Sequence, residues 1–157
     1  MAPAGGLFIA VVGVGIVFGA MFSNKRDFFL IAAFVVASIA LVMFTGRLMA
    51  PFGNPTRLQV WFLFASIVLE IILFRFALPK YRNAGERSAR LGSLFIVGVH
   101  FLPMAVAFGP TCLMLGLVLC LCSGTGLWIR PDLSVNGLWA VDGLLKIAFG
   151  SVMALAL

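Results

Sequence analysis

Charge is what this chain has least of: 10% of its 157 residues are charged, with five acidic side chains, one histidine and one tyrosine. Soluble domains carry about a quarter charged residues, so the composition excludes one. The alternating pattern of a transmembrane strand is also missing, which excludes a barrel. Cysteine is scarce, and Cys112, Cys120 and Cys122 all fall in one apolar segment without CxxC or Cys/His spacing. That excludes a disulfide framework and a zinc site, and leaves them as small packing residues. A single histidine excludes paired haem ligands and HExxH, and neither GxSxG nor a glycine-rich phosphate loop is present. No catalytic residues, metal or cofactor are expected, and the balance of the sequence is against an enzyme.

What the chain does have is hydrocarbon: 63% hydrophobic residues and a mean hydropathy of +1.19. Crossing about 30 Å of bilayer takes roughly 20 apolar residues in a helix. Six such runs are present, at residues 5–23, 28–45, 58–78, 91–108, 111–129 and 137–156. The expected fold is all-α, a polytopic six-transmembrane-helix bundle in a single integral membrane domain over residues 1–157. Met1 to Gly6 holds no Lys or Arg ahead of the first run, unlike the basic start of a secretory signal, so the first span is expected to be retained.

The net charge of +6 is not a nucleic-acid signature here, because the basic residues sit mostly in short connections. The expected partners are the bilayer and its anionic headgroups, met above all by Lys80, Arg82, Arg87 and Arg90 in the segment Pro79 to Arg90. Lys25, Arg26, Lys80, Arg82, Arg87, Arg90 and Arg130 fall in the first, third and fifth connections, against Arg47 and Arg57 on the other side. The excess of Lys and Arg marks the cytoplasmic face, which puts both termini outside. Small size and short connections fit a bacterial inner membrane. Trp61, Trp128 and Trp139 lie near span ends, where indoles anchor at the headgroup level. Gly15 and Gly19 give span one a small-xxx-small face, a plausible dimer contact. Gly5-Gly-Leu-Phe-Ile9 echoes Gly92-Ser-Leu-Phe-Ile96, a faint sign of a 3+3 inverted repeat.

Against this apolar background Glu70, His100, Asp142 and Lys146 stand inside the spans. A charge in hydrocarbon costs several kcal/mol unless paired or hydrated, so such residues mark a pathway or an interior pairing. At about 1.5 Å per residue from the cytoplasmic ends, Glu70, His100 and Lys146 reach depths of about 12–15 Å and Asp142 about 8 Å. Gln59, Ser66 and Glu70 share one face of span three, while Arg75 points nearly opposite. Trp139, Asp142, Lys146 and Met153 share a face of span six, and Asp27, Ser38 and Thr45 one of span two. Asp142 and Lys146 stand i, i+4 with the acid first, the favourable order for a pair within one helix. Pro103 cannot donate to the carbonyl of Val99, which frees an acceptor beside His100 and weakens the helix at mid-depth.

The stretch Gly98-Val-His-Phe-Leu-Pro-Met104 resembles a motif of small uncharacterised bacterial membrane proteins of unknown function. The resemblance covers one span and implies no activity. From the residues themselves two functions are expected. One is a transporter or channel for a proton, ion or small solute, with Glu70 as acceptor, His100 as its coupled partner, Lys146 and Asp142 as counter-charges, and Ser66, Pro103, Ser38 and Gln59 in support. The other is a non-transporting accessory or assembly protein whose buried charges fix helix packing.

Overall fold

In the computed structural model, residues 2–49 and 55–155 are described, and side chains within 3–43 and 55–155. Among them the fold is all-helical: α1 (Ala2–Met21), a 3₁₀ turn (Ser23–Lys25), α2 (Arg26–Met49), α3 (Arg57–Phe76), α4 (Leu78–Asn83), α5 (Glu86–Phe108), α6 (Pro110–Gly124), a π-helical turn (Thr125–Ile129) and α7 (Val135–Leu155). Six helical segments are long and apolar enough to cross a membrane: Pro3–Met21, Ser23–Met43, Arg57–Asn83, Glu86–Phe108, Pro110–Ile129 and Val135–Leu155. They overlap the six expected runs one for one. The Thr45 and Arg47 side chains, which entered the stripe and charge arguments, and residues 50–54 lie outside the described residues.

The segment expected to be a basic loop is largely helical. Pro79 supplies no N–H, and its ring would clash with the carbonyl of Arg75, so the helix breaks at Ala77 and restarts as α4 with proline in its first turn. Gly85, at φ 108°, then reverses the chain into α5; nothing lies within 4 Å of a Cβ placed there, so the backbone conformation alone selects glycine. Gly109, at φ 91°, makes the same reversal into α6, which opens on Pro110. That is the minimal Gly-Pro connection expected between spans four and five. Pro103 does not break α5, which runs through it as one helix to Phe108. The helix continues across the bond that Pro103 cannot make, since packing and local adjustment can absorb such a loss in an apolar helix.

The chain forms two compact units, Met1–Arg57 with Trp139–Leu157, and Leu58–Leu138. In the first, α1 and α7 pack backbone to backbone. A Cβ on Gly13 would lie 2.7 Å from the Gly143 carbonyl oxygen, and one on Gly150 would lie 2.7 Å from that of Gly6. The pairs 6 with 150 and 13 with 143 run antiparallel, with glycines seven residues apart on each helix. Gly15 and Gly19, the expected dimer face, are used inside the chain: Gly15 abuts Ala33 and the Phe29 carbonyl of α2, and Gly19 abuts Arg26. In the other unit Gly98 and Gly116 bring α5 and α6 together, each Cβ position falling about 3 Å from the opposite helix.

Candidate functional site

Only Ser66 of α3 is buried among its described residues, and the stripe of Gln59, Ser66 and Glu70 is the face that meets α5. Gln59 Nε2 donates to the Ala107 carbonyl at 3.5 Å, and eleven residues on, Glu70 Oε2 lies 3.9 Å from His100 Nε2. Residues 59 and 70 meet 107 and 100, so the helices run antiparallel and the stripe faces its partner as helix periodicity predicts. Ser66 sits between these contacts, donating to its own helix at Leu63 (2.7 Å).

The second nitrogen of His100 is committed. Nδ1 lies 2.7 Å from the carbonyl of Val97, which can only accept, so Nδ1 carries the hydrogen and Nε2 is turned to Glu70. The acceptor is thus one turn back in α5, at Val97 rather than at the Val99 carbonyl expected from Pro103. The imidazole is 12% and the carboxyl 30% exposed, so the acid is the more open of the two. At 3.9 Å the pair is too long for a direct hydrogen bond, and it spans the gap that one water could bridge.

Asp142 and Lys146 pair with each other across one turn of α7, and both side chains are buried, Lys146 at 3% and Asp142 at 4% exposure. The i, i+4 pairing expected from the sequence is in place. Lys146 rests on Gly13: a Cβ there would come within 2.9 Å of its own. The structure therefore brings Glu70 to His100 in the unit of residues 58–138, and Asp142 to Lys146 in the other. Ser38 Oγ donates to the Phe34 carbonyl of its own helix (2.8 Å), as Ser66 does to Leu63. Arg75 is exposed, its guanidinium over the ring of Phe76, and takes no part.

The four basic residues assigned to headgroups divide. Lys80 and Arg82 are exposed on α4. Arg90 pairs with Glu86 on the first turn of α5. Arg87 turns inward, donating to the carbonyls of Leu133 (2.9 Å) and Gly126 (2.9 Å). A π-helical turn displaces carbonyls from the ordinary ladder, and Arg87 supplies donors for one of them. Beyond it, Arg130 and Asp132 form a two-pronged pair at 2.9 and 2.8 Å. The Arg130 guanidinium holds the Asp132 carboxyl below its ordinary value and is itself raised by it.

With these contacts in view, comparison of the whole sequence with known families finds a match over residues 3–156. The chain belongs to DUF6609, a family of unknown function. The match covers nearly the full chain, so the DUF6609 sequence includes all six apolar helices and the Glu70–His100 and Asp142–Lys146 pairs, and it extends the one-span resemblance seen at Gly98 to Met104. No curated protein and no solved structure matches this DUF6609 chain.

Two residues that sequence reasoning passed over also stand out. Trp139 was expected at the headgroup level, like Trp61 and Trp128, which are 72% and 62% exposed; it is instead 8% exposed. Arg26 was counted as a connecting-loop charge and is also 8% exposed, its guanidinium 4.8 Å from the centre of the Trp139 ring. Span position alone gave both to the interface. The glycine at position 19, which leaves room for the arginine stem, is the one local signal of its burial.

Proposed function

We propose that this protein is a six-span integral membrane protein, with both termini outside, that moves protons through the Glu70–His100 pair. One observation carries the reading: Nδ1 of His100 is fixed on the Val97 carbonyl at 2.7 Å, which leaves Nε2 facing Glu70 Oε2 at 3.9 Å. The couple then has two forms of equal total charge, a neutral acid beside a neutral imidazole, or a carboxylate beside an imidazolium. The proton passes from Oε2 to Nε2 with no net charge moved into the apolar span. Glu70, the more open group, is the port, and His100 the inner station.

Ser66 and Gln59 hold the same face of α3 against α5 and position the acid. Lys80 and Arg82, exposed on α4, support contact with anionic headgroups. A 3+3 inverted repeat belongs to the same reading, since Gly5 to Ile9 and Gly92 to Ile96 open spans of opposite sense. A second reading, an accessory protein without transport, is favoured by one observation: Asp142 and Lys146 are buried and satisfy each other, as a packing device would.

Proteoliposomes loaded with a pH-sensitive dye, with membrane potential clamped by valinomycin and potassium, separate the two. The proton reading expects a protein-dependent collapse of an imposed pH gradient, slowed at least about tenfold in Glu70→Gln and in His100→Gln at unchanged elution from a sizing column. Flux that persists unchanged in Glu70→Gln rejects the site. Absence of flux in the unsubstituted protein rejects the transport reading in favour of the accessory one.

A further inference from the structure

In the unit of residues 58–138, one face of α5 carries polar side chains from its first turn to His100. Glu86, Arg90, Ser93, Val97, His100 and Met104 follow one another at steps of four and three and share a sector of about 80°. Leu94 and Phe101 are buried on one flank of that sector, Gly92 and Ile96 on the other. Every member of the stripe, by contrast, keeps part of its surface open. Val106, an exposed apolar residue of α5 at 42%, points away from the stripe by about 160°. The stripe is thus a partly open strip between buried flanks, and not the outermost face of the helix.

Its polar groups also point one way. His100 donates from Nδ1 to the Val97 carbonyl (2.7 Å), Ser93 Oγ donates to the Arg90 carbonyl (2.7 Å), and Arg90 pairs with Glu86, whose carboxylate is 77% exposed. Each step runs one turn towards the amino-terminal end of α5, and the first begins at the ring nitrogen that does not face Glu70. Ser93 spends its hydrogen on Arg90, so its oxygen is left to accept. The rise from His100 to Ser93 is about 10 Å, a gap that a short file of waters spans.

We infer that Ser93 and Glu86 form the exit of the Glu70–His100 pair, a wetted strip of α5 that carries the proton from Nδ1 of His100 to the membrane face of Lys80 and Arg82. The inference rests on the proton reading and gives it a direction. Glu70 passes its proton from Oε2 to Nε2, and the ring becomes an imidazolium. The Nδ1–H bond then breaks, its proton goes to a water of the strip, and the electron pair stays on Nδ1. The imidazole left with its hydrogen on Nε2 returns to the starting form by a half-turn of the ring. Ser93 accepts a hydrogen bond from the hydrated proton on its way, and the Glu86 carboxylate receives it at the surface.

Two measurements test this on the full chain in sealed vesicles. Ser93→Cys and Val97→Cys are exposed to a membrane-impermeant, sulfonate-bearing thiosulfonate from the face of Lys80, and labelling is counted by mass over that of the unsubstituted chain. Both should react at least about tenfold faster than Ile72→Cys and Val106→Cys, whose parent residues are 46% and 42% exposed but lie off the stripe. In the pH-gradient assay Ser93→Thr, which keeps the hydroxyl, should retain the flux, and its isostere Ser93→Val should slow it at least about tenfold. Stripe cysteines that react no faster than the two controls overturn the inference, and so does equal flux in folded Ser93→Thr and Ser93→Val. If either fails to elute as a folded protein, the labelling decides alone. Flux that is lost in Glu70→Gln but indifferent to Ser93→Val overturns the exit and leaves the pair standing. A labelled strip in a protein that carries no flux overturns the proton reading, and the exit with it.

Discussion

Replacing Asp142 by Asn leaves the Lys146 ammonium in a place 3% exposed to solvent, with its carboxylate gone. Breaking one side of a buried ion pair costs about 3–5 kcal/mol, because the remaining charge keeps its desolvation penalty and loses its compensation. Lys146→Met should cost a similar amount through the stranded Asp142 carboxylate. Removing both charges together, as Asp142→Asn with Lys146→Met, removes both penalties, and such replacements are often neutral or stabilising. The expected signature is two destabilised single variants and a double variant that regains at least about 3 kcal/mol over either. Near-full burial on both sides makes this case sharp, since the screening that reduces surface pairs to less than about 1 kcal/mol does not apply. SDS titration of the protein in mixed micelles provides the assay. With Trp61 and Trp128 replaced by Phe, the fluorescence of Trp139, one turn from Asp142, reports on this unit alone. Single variants within about 1 kcal/mol of the parent, or a double variant no more stable than the singles, would refute the buried-pair argument.

Gly143→Ala would set a Cβ 2.7 Å from the Gly13 carbonyl oxygen and 2.9 Å from the Val17 nitrogen, both backbone atoms, so the helices must part. Overpacking of this kind costs about 1–3 kcal/mol, while Gly137→Ala, whose nearest neighbour is Ser134 at 3.5 Å, should be neutral or stabilising in the same titration. Arg87→Gln removes donors from the Gly126 and Leu133 carbonyls, and hydrogen exchange at amides of residues 125–134 should speed by at least about tenfold, given about 1.5–3 kcal/mol for a charged hydrogen bond. Unchanged protection there would show that the π-helical turn holds without it. Asp132, held low by Arg130, should titrate below its ordinary 3.8 when followed by carboxyl carbon NMR. Its pairing stabilises the native loop above the unfolded carboxyl's titration point and is lost as pH falls through the lower native value. A titration at or above 3.8 contradicts the pairing.

The six spans were legible because apolar length is written directly in composition, and each run lies within a few residues of a helix. The Glu70–His100 and Asp142–Lys146 contacts were legible for different reasons. The second is local to one helix and follows from i, i+4 spacing. The first needed only the shared face of Gln59, Ser66 and Glu70 and a common depth with His100. The errors came where several partners compete for one residue. Pro79 restarts a helix rather than opening a loop, and Arg87 takes carbonyls that a π-helical turn exposes, a feature without a sequence signal. The Gly15-xxx-Gly19 motif drew attention to α1 correctly, but which helix fills a glycine face is decided by the fold. The spacing of seven between Gly6 and Gly13, matched by Gly143 and Gly150, marked the α1–α7 crossing and was open to notice.

The same crossing sets a timetable for biosynthesis. Gly13 and Gly143 are about 130 residues apart in the chain, and at about 5–20 residues per second the ribosome delivers α7 roughly 7–30 seconds after α1. Throughout that interval the glycine groove of α1 lacks the helix that fills it, and Gly13 waits for the Lys146 stem that packs on it. It also follows that a chain halted before α7 would leave a half-built unit with one of its most closely packed surfaces open.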